Sequence, residues 1–213
     1  IRTRSRLGTL SVTGGMLTRD EGIPGPASAQ STGTRLDTTR FLTAVNGESD
    51  GSWGRSQLSA WLINTHELWD DRGNEVGVGV QHEDRDTRML GMQTTTDVVV
   101  TPTTVAIVAG SVRHDQYTRF NRITETEDAP MERTVWSASP AIRGQLLDER
   151  LQIDGTVFVQ GIHNDAFGDA ALSQVPGAIT QSTTDFIAAK PRAGVLVRLS
   201  PTTVTKASWG QYL

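Results

Sequence analysis

Clusters of histidine and carboxylate residues are the part of the sequence that could do chemistry. His82-Glu83-Asp84 brings an imidazole and two carboxylates together, and Asp70-Asp71 lies upstream. Both groups are common ligands of divalent metals. However, neither the HExxH spacing of a helical zinc site nor the spacing of an EF-hand loop accompanies them. The pattern therefore predicts a solvated polar loop and no metal site.

Two further polar clusters, His114-Asp115 and His163-Asn164-Asp165, stand near the ends of alternating runs. Such side chains could contact a ligand at the mouth of a cavity, and polarity at an interface explains them equally well. The segment Gly73 to Gly79 has no following lysine or helix, which excludes a phosphate loop. No nucleophile elbow is predicted either, so we expect no enzymatic activity.

Composition narrows the fold class. The 213 residues include 21 glycines and no cysteine, with 36% hydrophobic residues and a formal charge of -4. No run of 18 apolar residues exists that could form a transmembrane helix. Lack of cysteine excludes disulfides and thiolate zinc sites, and scattered basic residues in a mildly acidic chain argue against nucleic-acid binding. An all-β protein without cofactors is predicted.

Long runs of alternating apolar and polar residues must position the polar clusters. The alternation is clearest after Leu151, where Ile153, Gly155, Val157 and Val159 share one face. About nine such strands are predicted. They are Arg2 to Thr18, Thr38 to Glu48, Trp53 to Trp69, Thr87 to Val100, Val105 to Tyr117, Thr134 to Leu147, a run from Leu151, and the two arms of a hairpin within Asp185 to Leu213.

The connections between these strands alternate in length. Tight turns near Ser49, Thr101, Asp148 and Ser200 recur about every 50 residues, and longer polar connections lie between them. Strands of about 10 residues with this asymmetry are typical of outer-membrane barrels. A propeller blade would need four strands in each period. The pattern predicts an antiparallel up-and-down transmembrane β-barrel segment with short periplasmic turns and long extracellular loops; propeller, sandwich and solenoid remain alternatives.

Two short motifs resemble a known family. The segment PRAGVLVRLSPTTVTKASWGQYL at the C-terminal end resembles a hairpin that recurs in TonB-dependent outer-membrane receptors, with an Arg-x-Gly strand, a short Pro turn and a Lys-Ala-Ser-aromatic-Gly strand. Arg19 to Gly25 is similar to the Gly-aliphatic-Pro-Gly start of an outer loop in that family. The resemblance implies that residues 1–213 are about nine of the family's 22 strands. We therefore expect an internal piece of a longer precursor, without plug domain or signal peptide.

The resemblance implies uptake of a scarce nutrient of the ferric siderophore, cobalamin or glycan class at the outer membrane. The implied partners are the lipid bilayer, the inner-membrane protein TonB acting through a plug domain, and a small-molecule or metal-chelate ligand. A plug-less porin or adhesin, or a soluble propeller or lectin-like module, is the alternative. Candidate ligand-binding residues in the outer loops and lumen are Trp69, Asp70, His82, Arg113, Asp115, His163 and Asn164.

A hydrated lumen also accounts for the charges within the strands, because a charge facing lipid near the midplane costs about 2 to 4 kcal/mol. The charges predicted to face inward are Arg113, Asp115, Arg143, Asp154, Arg192, Arg198 and Lys206. Pro140 fits a central strand poorly, and a local bulge is expected there. Nine strands leave two open edges, so we expect folding only together with the rest of the barrel.

Aromatic residues near the loop ends are expected to form an outer girdle facing lipid. They are Phe41, Trp69, Tyr117, Trp136, Phe186, Trp209 and Tyr212.

Overall fold

The computed structural model describes residues 2–5, 8–25, 31–76, 79–148, 150–167 and 181–211. They form one antiparallel sheet in which each strand pairs with its neighbours in sequence, except that β6 pairs with both β8 and the short β7. The strands are β1 (Arg2–Ser5), β2 (Gly8–Gly22), β3 (Arg35–Gly51), β4 (Gly54–Asp71), β5 (Gln81–Thr101), β6 (Thr104–Asn121), β7 (Thr126–Glu127), β8 (Met131–Leu146), β9 (Leu151–Phe167), β10 (Gln181–Ser200) and β11 (Thr203–Gly210). No described helix is long and apolar enough to cross a membrane.

This architecture confirms the predicted all-β, antiparallel up-and-down sheet with nine long strands, since only β1 and β7 have fewer than eight residues. The described connections are short at one end of the sheet, where Gly51 meets Gly54 and Thr101 meets Thr104. Longer connections, such as 72–80 and 122–130, lie at the other end. We call these the short-turn end and the loop end. Of the loop predicted from Gly168 to Ser182, residues 168–180 lie outside the described residues, and the last two residues belong to β10.

The register of the strands places side chains of similar polarity on the same face. Val112 on β6 lies opposite Met92 on β5 and Trp136 on β8, whereas Ser111 lies opposite Ser137. We call the face of Val112 the apolar face and the face of Ser111 the polar face. A slip of one residue would exchange the two faces, so the hydrophobic pattern fixes the register.

The prediction that seven charged strand residues share a face is confirmed. All lie on the polar face: Arg113, Asp115, Arg143, Asp154, Arg192, Arg198 and Lys206. The aromatic girdle is partly wrong, because alternation puts Trp69, Tyr117 and Phe186 on the polar face. Phe41, Trp136 and Trp209 lie on the apolar face. Tyr212 lies outside the described residues.

The sheet is a single layer, and none of its described apolar side chains is buried. Met16 is 64% exposed and Ile187 is 70% exposed, and both lie on the apolar face. A contiguous apolar surface of this extent is stable only when something other than water covers it. A bilayer around closed strands provides that environment.

The border between apolar and polar side chains crosses the apolar face obliquely. On β3 the apolar side chains reach Phe41, although its partner Asn64 on β4 is polar. On β5 they reach Leu90, although the residues in its row on β6 and β8, His114 and Thr134, are polar. Such a stepwise shift arises when strands tilt relative to the plane of the border, as strands of a barrel do.

Two predicted segments differ most from the structure. The run Arg2 to Thr18 is divided between β1 and β2, which pair with each other where Ser5 meets Gly8. The predicted loop Asp70 to Asp86 is shorter, because β5 begins at Gln81 and continues the ladder with β4 as far as Asp71. His82, Glu83 and Asp84 are therefore strand residues with fixed directions.

The turns at Thr101 and Ser200 have the same geometry. The backbone N–H of Thr103 donates to Thr101 Oγ1 at 3.3 Å, and that of Thr202 donates to Ser200 Oγ at 3.3 Å. The register also shifts at the equivalent point, between 99 and 101 and between 198 and 200. The sequences of the two turns, TPTTV at 101–105 and SPTTV at 200–204, also match nearly residue for residue. They therefore form a structural repeat, in which the hydroxyl before proline closes the turn.

Pro140 interrupts the β8–β9 ladder without a bulge. Ala138 pairs with Val159 and Ala141 pairs with Thr156, so the register is the same on both sides. Proline has no N–H to donate. The Thr156 hydroxyl instead donates to the Pro140 carbonyl at 3.0 Å, and the expected bulge is not present in this described segment.

Candidate functional site

An aromatic and charged cluster lies on the polar face near the loop end. We call Trp69, Glu83, Arg85, Tyr117 and Arg119 the loop-end cluster. Glu83 lies opposite Trp69, and Arg119 lies opposite Arg85, because β4, β5 and β6 are adjacent. The Arg85 guanidinium lies 5.4 Å from the centroid of the Trp69 ring, within the range of a cation–π contact.

Ion pairs and a hydrogen bond fix these side chains. Arg85 Nη2 lies 3.0 Å from Glu83 Oε2, and Arg119 Nη1 lies 3.7 Å from Glu83 Oε1. Glu83 itself is only 5% exposed. Arg119 also contacts Asp128 at 2.6 Å, and Trp69 Nε1 donates to Gln81 Oε1 at 2.9 Å. The two guanidiniums remain partly exposed beside an indole, an arrangement that can bind an oxygen-rich anionic or planar ligand.

Four of the seven predicted site residues lie on the polar face. They are Trp69, Arg113, Asp115 and Asn164. Trp69 belongs to the loop-end cluster, whereas Arg113 and Asp115 form a 3.0 Å ion pair near the middle of β6. Asn164 lies on β9 opposite Arg133. The structure therefore places these four along the wall and not in one cluster.

The other three predicted residues, Asp70, His82 and His163, lie on the opposite side, beyond the apolar side chains. His82 Nδ1 is 3.6 Å from Asp70 Oδ1, and His163 Nδ1 is 2.5 Å from Asp185 Oδ1. Strand alternation separates them from Trp69. No group of three or more described acidic or histidine residues is arranged to hold a metal ion. A ligand-binding role for all seven stays a prediction.

Glu83, Arg85 and Arg119 are site residues that sequence reasoning missed. The alternation of Gln81, Glu83 and Arg85 with His82 and Asp84 could have revealed a strand, but both sets are polar.

The spacing G-x-S-x-G, which is typical of a nucleophile elbow, also occurs, at 47–51. It lies at the end of β3 in a hairpin with β4, whereas a nucleophile elbow joins a strand to a helix.

Two carboxylates join the connection that follows β2 to the connection that follows β4. Asp71 is fully buried and accepts hydrogen bonds from the Thr34 hydroxyl at 2.9 Å, from the Glu75 backbone N–H at 2.7 Å and from the Val76 backbone N–H at 3.1 Å. We call Asp71, Glu75 and the residues that donate to them the loop clasp. It holds the rim of the sheet next to the loop-end cluster.

Glu75 forms the outer half of the loop clasp. Its Oε2 accepts from the Ser31 hydroxyl at 2.6 Å and from the backbone N–H groups of Thr32 and Gly33 at 2.6 and 2.8 Å. The Gly33 N–H, followed by the Ser31 hydroxyl and the Thr32 N–H, lowers the pKa of Glu75 to about 2. Hydrogen bonds to a carboxylate favour its charged form.

The lowered pKa predicts how the loop clasp responds to pH. Because the pKa of Glu75 is lower in the folded state than its ordinary 4.5, the stabilisation is fully present above about pH 4.5 and is lost as pH falls through about 2. In the full-length protein at neutral pH, Glu75→Gln should raise hydrogen exchange of residues 31–34 about fivefold. Hydrogen exchange followed by mass spectrometry, corrected for intrinsic rates, measures this, with Glu48→Gln as control. Equal exchange in Glu75→Gln and wild type would contradict it.

Solved structures of transporters share this architecture. The FrpB iron transporter from Neisseria meningitidis (F5-1 variant) matches with a TM-score of 0.66 and 13% identity over 95% of this chain and 34% of the transporter. Its apoprotein form matches with a TM-score of 0.65 and 11% identity over 94% and 32%. The ferric citrate transporter FecA in the unliganded form matches with a TM-score of 0.64 and 10% identity over 97% and 33%. The chain spans about a third of the length of these proteins.

No protein-family model matches the sequence, and no curated protein does. At identities of 10 to 13%, the structural likeness establishes the fold alone. The described residues therefore have the fold of a section of the β-barrel of TonB-dependent transporters, as the sequence resemblance implied.

Proposed function

We propose that this chain supplies part of the barrel wall and outer loops of an outer-membrane TonB-dependent transporter. It would take up a scarce nutrient of the ferric siderophore, cobalamin or glycan class. The observation that carries the proposal is the loop-end cluster, an indole and two guanidiniums on the polar face of a sheet with this barrel fold. The named neighbours, transporters of iron and of ferric citrate, support this class of function.

Binding and passage use different parts of the polar face. Trp69 offers a stacking surface, and Arg85 and Arg119 offer N–H donors to ligand oxygens. Towards the short-turn end, a hollow of about 320 Å³ is lined by hydroxyl and amide side chains, including those of Gln93 and Ser111. Weak polar contacts of this kind let a ligand move on, and no covalent chemistry is required. Energy would come from TonB through a plug domain.

The apolar face indicates what surrounds this part of the barrel wall. Its exposed apolar side chains fit the hydrocarbon of the outer membrane. A propeller would need separate blades of four strands, whereas all described strands belong to one continuous sheet. Both features favour a membrane barrel over the soluble alternatives. A porin or adhesin without plug domain is the alternative function against which transport is tested.

The test uses the full-length protein expressed in a host deleted for its own receptors. Uptake of radiolabelled ferric siderophores, cobalamin and oligosaccharides is measured with and without TonB. One class should be taken up only when TonB is present, and Trp69→Ala with Arg85→Gln should weaken its binding about tenfold or more. Trp53→Ala with Arg72→Gln serves as the control, since both side chains lie outside the loop-end cluster. TonB-independent passage of all three classes would overturn the proposal.

A further inference from the structure

Four apolar side chains interrupt the polar face on three adjacent strands. They are Leu42 on β3, Trp61 and Ile63 on β4, and Met89 on β5, which we call the lumenal apolar patch. Leu42 lies opposite Ile63, which lies opposite Met89. Trp61 follows Ser59 at alternate positions of β4, so the patch shares the polar face with that hydroxyl. Lipid on the other side of the wall cannot cover it.

The patch is continuous and partly open to the lumen. A Cβ added at Gly91 would lie 2.2 Å from Trp61 Cζ2, so the indole lies over the backbone of β5 beside Met89. Leu42 is 38% exposed, and Trp61, Ile63 and Met89 are partly exposed. Removing apolar surface of this kind from water is favourable, so the patch fits a partner that carries apolar groups.

Polar groups limit the extent of the patch on two sides. Towards the short-turn end, the next residues on the polar face are Ser59 and Gln93, which line the hydroxyl and amide hollow. Towards β8, Arg113 and Asp115 form their 3.0 Å ion pair, and Arg113 separates the patch from Val135. The patch is therefore a bounded surface that extends over two strand spacings, about 10 Å, from β3 to β5.

Cationic side chains adjoin the patch on the side of the loop end. Arg40 is two residues from Leu42 along β3, and its Nε donates to Thr65 Oγ1 at 3.1 Å. Arg85 of the loop-end cluster is four residues from Met89 along β5, a distance of about 14 Å. Guanidinium N–H groups bind carboxylates and other oxygen anions. An anion-binding surface and an apolar surface are thus neighbours on the same wall.

We infer that the transported ligand is amphiphilic, with an anionic, oxygen-rich head bound by Arg40 and the loop-end cluster and an apolar chain or ring bound by the lumenal apolar patch. This inference rests on the proposed function and deepens it, because it selects a metal chelate that carries an apolar group. A neutral glycan offers no anion to the guanidiniums. A compact anionic chelate bound at Arg85 would leave the patch, about 14 Å away at Met89, uncovered.

The test compares two ferric complexes that share one citrate-based hydroxamate head and carry either acetyl or octanoyl chains. The full-length protein is expressed in a host deleted for its own receptors. Binding of radiolabelled iron is measured on whole cells in the cold, and binding to the same host without the protein is subtracted. The octanoyl complex should bind about tenfold or more tightly than the acetyl complex, because its additional methylene groups leave water on the patch.

The ratio of the two affinities is the readout for the patch. Ile63→Thr with Met89→Gln substitutes polar side chains of similar size and should lower the ratio to about twofold or less. Val135→Thr with Ile162→Thr is the matched control, since both residues are apolar, partly exposed and on the polar face beyond β6. This control should keep the ratio of the wild type. Heat-modifiable mobility in SDS gels verifies that each barrel is folded.

A second pair of substitutions tests the site of the head. Trp69→Ala with Arg85→Gln should weaken binding of the acetyl and octanoyl complexes by similar factors, because both complexes carry the same anionic head. Loss of affinity for the head and loss of the advantage of the longer chain are therefore measured separately.

The outcomes separate the inference from the proposed function. Equal binding of the two complexes would show that the patch does not bind the chain, and the inference would be wrong. It would also be wrong if the control pair lowered the ratio as much as Ile63→Thr with Met89→Gln, because a domain that fills the lumen would then cover both apolar surfaces. A ratio that only the patch variant lowers supports the inference.

The remaining outcomes concern uptake. If neither ferric complex binds, but cobalamin or an oligosaccharide is taken up only when TonB is present, the inference is wrong and the proposed function stands. If no class of nutrient is taken up in a TonB-dependent manner, both fail.

Discussion

Gly54→Ala should destabilise the folded barrel by about 3 kcal/mol, one of the two largest effects expected of a single substitution in this chain. Gly54 has φ +136°, and a Cβ added there would lie 1.9 Å from the carbonyl oxygen of Asp97. That atom is backbone of the neighbouring strand β5, so it cannot move aside as a side chain would. Either the β3–β4 turn opens or the ladder between β4 and β5 breaks at its start.

The measurement is the urea concentration at which half of the refolded full-length protein loses its heat-modifiable mobility. Gly144→Ala is the matched control, because it also lies near the short-turn end and an added Cβ meets no atom within 4 Å. We expect the control to be neutral or slightly stabilised, since alanine reduces the entropy of the unfolded chain. Equal midpoints for Gly54→Ala and Gly144→Ala would show that the turn tolerates a side chain.

Asp71→Ala should open the loop clasp, at a cost of about 3 kcal/mol to the local structure of the rim. Alanine removes both oxygens from a fully buried position and leaves the Thr34 hydroxyl and the N–H groups of Glu75 and Val76 without their acceptor. Asp71→Asn should have a smaller effect, because an amide oxygen in the place of Oδ1 can still accept the bonds from the Thr34 hydroxyl and the Glu75 backbone N–H. Thr34 lies in the connection after β2, and Glu75 and Val76 lie in the connection after β4, so both connections should become mobile together.

Limited proteolysis and hydrogen exchange of residues 31–34 and 72–76 measure this effect. A local loss of about 3 kcal/mol corresponds to roughly a hundredfold rise in exchange through local opening. Asp70→Ala is the control, since the adjacent carboxylate points to the other face and pairs with Arg72 at the surface, where ion pairs contribute little. Exchange that rises equally in Asp70→Ala and Asp71→Ala would argue against a specific role of the buried carboxylate.

Hydropathy alternation was sufficient to predict the strands where one face is apolar. The run Leu151 to Gly161 shows this, since its apolar residues share the face of Trp136 in the structure. It fails beyond the apolar border, because Gln81 to Asp86 is polar on both faces. That stretch was predicted to be a loop and is part of β5, which is why Glu83 and Arg85 were missed.

The site depends on contacts that local sequence does not reveal. Thr34 and Asp71 are 37 residues apart, and only the pairing of β3 with β4 brings them together. The faces of aromatic residues show the same limit. Because Trp69 and Trp136 both lie near a loop, both were predicted to belong to an aromatic girdle facing lipid, yet the register of their strands assigns them to opposite faces. The pairing of strands determines both the contact between Thr34 and Asp71 and the faces on which Trp69 and Trp136 lie.

The repeated turn has a consequence for how such a wall can evolve. Between the turn at Thr101 and the turn at Ser200 lie four long strands, β6, β8, β9 and β10. Duplication or loss of this unit would change the number of long strands by four and would leave every remaining hairpin at its own end. Because barrel diameter grows with strand number, gene rearrangement at this repeat could widen or narrow the pore in whole steps. The same turn would close the new hairpin.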